Sequence, residues 1–330
     1  MRRLLPVAFC ITAALIAGCG SSSQTQTAAT AASAVATQPA NASFPQLNGR
    51  TLPALVKRLP QGPSLGPTSS IFEPGSDRIG FVLVDRSRRF LNGAQVALYT
   101  GDANGNQAAG PFAAHSESLA VAKPYQSKLV AEETKSSAAP KAIYVAHVPF
   151  SKTGRHAIIA LVRLDGRMVA TAPLAVNIAS EQTGPPDVGQ KAIKIHTPTV
   201  ASVGGDASKL DTRVPPAQDL NQVDFAKALG KKPIVLLFAT PQFCQSRTCG
   251  PVEDIVEQAK HDPANKRFAF VHQEVYNGND PAKGFRSQLA AWHLPSEPWL
   301  FVIDRHGVVK ARFEGAFGAG EVQQALNSVR

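Results

Sequence analysis

The sequence predicts two folded parts, an all-β sandwich followed by an α/β domain, carried behind a cleaved leader and a polar tether. Three observations predict this. From about Ser76 to Ser180, short apolar runs alternate with turn residues and show no helical periodicity. Beyond Pro216 the pattern changes to alternating helix-like and strand-like segments. Ahead of both lies a cationic and then apolar N-terminus, followed by a stretch from Gly20 to Gly49 that has no charged side chain.

Composition agrees with this plan. A chain of 330 residues has room for two domains of ordinary size, and 44% hydrophobic residues supply enough material for real cores. Lys and Arg number 34 against 24 Asp and Glu, a net charge of +10, but charged residues are only 18% of the chain. The excess is spread out, and no basic run is interleaved with aromatics, so nucleic acid is excluded as a partner class.

The first element is residues 1–18, with Arg2 and Arg3 ahead of the apolar run Leu4–Ala17. That run is too short to span a bilayer and has the length of a signal-peptide core. It ends Ile16-Ala17-Gly18-Cys19, and this resembles the bacterial lipoprotein signal, whose last small residues precede a lipidated cysteine. The resemblance implies cleavage before Cys19, an acyl (palmitate) lipid on Cys19, and a protein held at the extracytoplasmic face of the cell membrane. Residues 19–75 then read as tether and Pro-rich linker, with Pro53, Pro60, Pro63, Pro67 and Pro74.

Residues 76–180 carry the runs Arg78–Val84, Ala94–Tyr99, Ile143–Val148 and His156–Arg163. Asp165-Gly166 forms a hairpin turn before a return strand over Met168–Ile178. In architecture this resembles an immunoglobulin-like sandwich, without that family's disulfide and packed tryptophan. Residues 181–216 read as a second linker, rich in Gly and Pro. In 217–330, Pro233–Phe238 is a continuous apolar strand, a helix runs from about Pro251 to His261, and a strand covers Phe268–Val275. A helix near Gly284–Trp292, the strand pair Trp299–Ile303 and Val308–Phe313, and a last helix over Gly320–Val329 complete the part.

The chemistry sits in two cysteines. Of four in the chain, Cys10 lies in the leader and Cys19 is the lipidation site, which leaves Cys244 and Cys249 alone in an oxidising compartment. Val235–Ala239 runs straight into their loop, Cys249-Gly250-Pro251 opens a helix, and Glu297-Pro298-Trp299 leads a strand that ends in Ile303-Asp304. Together these resemble the thioredoxin superfamily over about residues 217–330. The resemblance implies an α/β thioredoxin-like fold, a cis bond before Pro298, and a Cys244–Cys249 disulfide. It makes Cys244 the nucleophile, Cys249 the resolving cysteine, and Pro298, Phe243 and Trp299 the walls of a substrate groove. Arg247, between the cysteines, adds to thiolate stabilisation beside the helix N-terminus. The implied function is thiol–disulfide exchange on exported proteins or a redox partner, with no cofactor and no metal. Four residues separate the cysteines instead of the family's two, and along a straight helix that spacing means a rise of roughly 7.5 Å, too far for a bond. Cys244 is therefore expected in the loop before the helix.

Other readings stand beside this one. The pair is a structural disulfide in a non-enzymatic binding or scaffold lipoprotein. The spacing also resembles peroxiredoxin Q, with Pro241 where that family has threonine and Thr240 one place earlier. A copper chaperone of the Sco type would draw on His272, His293 or His306. Glu253, Asp254 and Glu257 read as solvated acids at a helix N-terminus, Trp292 and Trp299 as core or groove residues, and no two histidines show metal-ligand spacing.

Overall fold

The structure is a computed structural model that describes residues 43–136, 139–179, 184–244 and 246–329. The expected leader and the expected lipidation site, Cys19, lie outside the described residues. Nine strands form one antiparallel sheet: β1 (Ser64–Pro67), β2 (Gly75–Val84), β3 (Phe90–Leu91), β4 (Gln95–Asp102), β5 (Ala109–Ser118), β6 (Ala142–Phe150), β7 (Gly154–Leu164), β8 (Arg167–Ala170) and β9 (Leu174–Ile178). The main order is β1-β2-β6-β5-β4-β7-β8, with β3 on β2 and β9 on β7. β5 turns the corner: Ala109–Ala114 pairs with β4, and His115–Ser118 pairs with β6. The sheet therefore curls until its two wings face each other across one apolar core, as a β-sandwich. Side chains that alternate along the strands fill the space between, among them Ile79, Phe81, Val96, Leu98, Tyr144, Val148, Ile158 and Val162.

A second, four-stranded sheet has β10 (Ile234–Ala239), β11 (Ala269–Glu274), β12 (Trp299–Ile303) and β13 (Val309–Glu314) in the order β11-β10-β12-β13. Only β10 and β11 run parallel; the other two pairings are antiparallel. The helices are α1 (Leu52–Val56), α2 (Lys128–Glu133), α3 (Phe225–Ala228), α4 (Cys249–His261), α5 (Ser287–Ala291) and α6 (Ala319–Ser328). No helix among the described residues is long and apolar enough to cross a membrane.

The expected fold class is corrected. Among the described residues thirteen strands stand against six α-helices, of which only α4 and α6 exceed six residues, and no clear α/β thioredoxin-like domain stands apart. The physical reason is a shared core. Helices α4 and α6 lie between the two sheets, and Val252, Ile255, Val322 and Leu326 pack with Val235, Leu237, Leu300 and Val302 of the second sheet. The same core contains Leu119, Ile143 and Val145 from the sandwich's outer face. The first two turns of α4, Cys249–Val256, are buried all round as a result. The described residues form one compact unit rather than separate domains.

Both expected linkers are packed where they are described. Thr51 caps α1, and Leu52 and Leu55 join Phe44 and Leu47 against Tyr99, Ile159 and Leu161 on the sandwich's far face. In the second stretch Ile195, Leu210, Asp211 and Arg213 are buried, and Ala192 N–H donates to Gly307 O at 2.9 Å beside the β12–β13 turn. Glycine and proline here shape turns over a core instead of loosening a connection. Among the elements that the sequence reading lacks are α2 and β5, the latter a strand that the polar run around His115 and Ser116 concealed.

Charged pairs lock the layers together. Arg78 of β2 meets Glu321 of α6 with two hydrogen bonds of 2.6 and 2.7 Å and donates a third to Ala316 O. Glu314 accepts from Ser70 N–H and Oγ and from Ile71 N–H. Beside it, Gly315 has φ +70°, and a Cβ there would lie 1.7 Å from Thr68 O.

Candidate active site around Cys244 and Cys249

Strand β10 is buried at every position and delivers the chain into a tight loop, where Phe243 and Cys244 N–H donate to Thr240 O at 3.2 and 3.1 Å. Cys244 lies in that loop, and Cys249 is the first residue of α4. Thr248 precedes the helix but makes no side-chain cap. Cys249 N–H instead donates to Cys244 Sγ at 3.4 Å, so the sulfur occupies the place of a helix cap. Ser246 Oγ lies 3.2 Å from the same sulfur and 2.8 Å from Thr248 Oγ1.

The expected disulfide is not formed: both residues are free thiols. Their environments are opposite in effect. Hydrogen bonding from the Cys249 side chain, with help from Ser246 and the helix N–H groups, outweighs burial and lowers the Cys244 thiol to about 6. Burial pushes the Cys249 thiol well up, and the adjacent Cys244 adds to this. Arg247, expected to stabilise the thiolate, is exposed on a left-handed backbone (φ +56°), and the leading causes at Cys244 are the local hydrogen bonds.

Sequence reading missed Glu297. Its carboxylate and the two sulfurs all lie within 4.8 Å of one another. Burial first, and then the charge of Cys244, raise its carboxyl to about 7. The bond from Glu297 to Pro298 is cis, as expected, as are Gly110–Pro111 and Val214–Pro215. Pro298 is buried, and Trp299 is core, stacked on Phe301 at 5.7 Å with its indole N–H on Ser296 Oγ. Trp299 borders a polar cavity of about 260 Å³ between the sandwich and the second sheet, together with Glu73, Asp77 and Arg312. Phe243 is half-buried and meets Tyr276 edge-on at 6.1 Å, and Tyr276 stacks on Phe285, which is 64% exposed. These three rings make an aromatic ledge beside Cys244.

The supposed linker braces the loop. Thr212 Oγ1 accepts from Gln242 N–H at 3.2 Å and donates to Glu274 at 2.8 Å. Glu253 and Asp254, expected to be solvated, are fully buried, because α4 is enclosed between two sheets. Asp254 pairs with Arg213 at 2.8 Å. Three groups among the described residues bring metal-ligand atoms within 4.8 Å of one another: Cys244, Cys249 and Glu297; Asp211, Glu253 and His272; and Asp219, Glu257 and His261. The group at the cysteines takes Glu297 as its third donor and includes none of His272, His293 and His306.

No family model matches the chain, and no curated protein matches it. Among solved structures it is similar to the filamin domain of Lin-41, with 12% identity over 37% of this chain and all of that one, at a TM-score of 0.20.

Proposed function

We propose that this protein carries out thiol–disulfide exchange through Cys244 and Cys249, on exported proteins or a redox partner, while lipid on Cys19 holds it at the extracytoplasmic face of a membrane. The observation that carries this reading is the asymmetry of the pair. One sulfur caps a helix and favours thiolate; the other is fully buried and keeps its proton.

The steps follow from that arrangement. The Cys244 thiolate attacks a partner disulfide, one partner sulfur leaves as thiolate, and a mixed disulfide forms on Cys244. The Cys249 thiol then gives its proton to the Glu297 carboxylate and attacks Cys244 Sγ. The bond from Cys244 to the partner breaks, and Glu297 passes the proton to the departing partner thiolate. The pair ends oxidised and the partner reduced; with the pair oxidised at the start, the same steps run in reverse. The ledge of Phe243, Tyr276 and Phe285 offers an apolar seat for a partner segment next to the attacking sulfur.

Thiol trapping across dithiothreitol and glutathione buffers tests the reading. A potential above about −270 mV is expected for an exchange-competent pair; a value below about −300 mV would mark a structural staple. A Cys244→Ser variant that still binds its partner with unchanged affinity and loses no function would favour the binding-scaffold reading.

A further inference from the structure

Beneath α4, away from the aromatic ledge, lies a group of side chains that thiol exchange does not use. The period of two along β11 turns His272 toward α4, and Glu253 lies over it. The segment that contains the cis Val214–Pro215 bond closes the group with Asp211. One donor atom from each lies within 4.8 Å of the others, and each residue is 0–1% exposed. We propose that Asp211, Glu253 and His272 are a buried site for one divalent metal ion of the zinc class.

Unmet bonding capacity is the main support. Neither carboxyl oxygen of Glu253 accepts a hydrogen bond from an N–H or hydroxyl group; the carboxyl faces a second acid, Asp211, and Nε2 of His272. Buried polar atoms are otherwise nearly always paired. The neighbouring cation does not fill the need, because Arg213 is committed to Asp254, Pro215 O and Tyr125 O at 2.7–2.8 Å. His272 Nε2 stands 3.5 Å from Glu253 Oε2 and 3.0 Å from Ala239 O. Those separations suit neighbouring ligands of an ion held at about 2.0–2.2 Å, with Ala239 O as a fourth donor. One imidazole nitrogen with carboxylate oxygens selects a zinc-class ion over calcium or magnesium, which prefer all-oxygen shells. Two carboxylates and a divalent cation are together neutral, which is what a fully enclosed site requires. The enclosure also means that the ion enters during folding, not afterwards.

The test uses the full chain with its four cysteines changed to serine, so that no thiol competes. The protein is refolded with one equivalent of Zn²⁺ or Co²⁺, passed over a chelating resin, and analysed for metal and for visible Co²⁺ absorption. One retained equivalent is expected, with Co²⁺ bands of a four-coordinate site and a Zn²⁺-dependent rise in melting temperature. Glu253→Gln should lower retention at least tenfold and abolish that rise; Asp211→Asn should do the same, and serves if the first variant does not fold. His261→Ala, at the surface group, should leave the equivalent in place. No retained metal, retention unchanged in both variants, or loss in His261→Ala would each overturn the proposal.

Discussion

Cys244 and Cys249 differ by what surrounds each sulfur, and the difference sets measurable behaviour. With the Cys244 thiol near 6, alkylation by iodoacetamide should rise with pH through about 6 and be close to its plateau at pH 7. An ordinary thiol, titrating near about 8.5, would still be mostly protonated there. Cys249 should stay unreactive over the same range, and mass spectrometry of the labelled peptides distinguishes the two. Glu297 gives a second expectation: Glu297→Gln should leave formation of the mixed disulfide intact and slow its resolution by about tenfold to a hundredfold, the usual scale of positioned proton transfer. Rapid acid quench would then trap the mixed disulfide in the variant. The cysteines and Pro298 were legible in the sequence because their spacing and neighbours are local. Glu297 was not singled out, since only the fold sets a carboxylate beside two sulfurs more than forty positions away.

Among the elements, α4 and β13 show where local pattern stops being informative. Acids in the opening turns of a helix ordinarily face water, and the sequence around Glu253 and Asp254 offers no sign of His272, which lies against the first, or of Ser127 and Arg213, which cover the second. The strands β10 and β12 were legible because continuous apolar runs bury both faces wherever they sit. The end of β13 depends on a close approach to another part of the chain. Gly315→Ala should destabilise by about 3 kcal/mol or more in urea unfolding, since its Cβ would collide with the Thr68 carbonyl. Gly93, at φ +73° with open space around it, is the control; Gly93→Ala should cost only about 1 kcal/mol.

At the scale of the molecule, the shared core around α4 and α6 predicts joint unfolding. Trp292 and Trp299 both lie in the second sheet's core, so tryptophan fluorescence reports that part, while amide hydrogen exchange of β4 and β7 peptides across the same urea series reports the nine-stranded sandwich. The two probes should give coincident transitions; well-separated midpoints would mean that the layers are independent domains. Arg78→Ala should lower both midpoints together, at a cost of about 2–3 kcal/mol, because it leaves Glu321 with a nearly buried charge and no cation beside it, only the Gly318 N–H. Neither Arg78 nor Glu321 is conspicuous in the sequence, as an ion pair between residues 243 positions apart has no local pattern.

Sequence alone was enough to locate the strand runs, the apolar β10, the start of α4 near Cys249 and the pair of Cys244 and Cys249, because each depends on periodicity, turn chemistry or spacing. It led to linkers where there are packed segments, to a separate α/β domain where there is a layer shared with the sandwich, and to solvated acids where there is a buried cluster. Those outcomes rest on contacts between residues far apart in the chain, and only the tertiary structure decides them. Apolar surface on α4 and α6 has to be covered on both sides, and whichever segments cover it set which polar groups are enclosed with it.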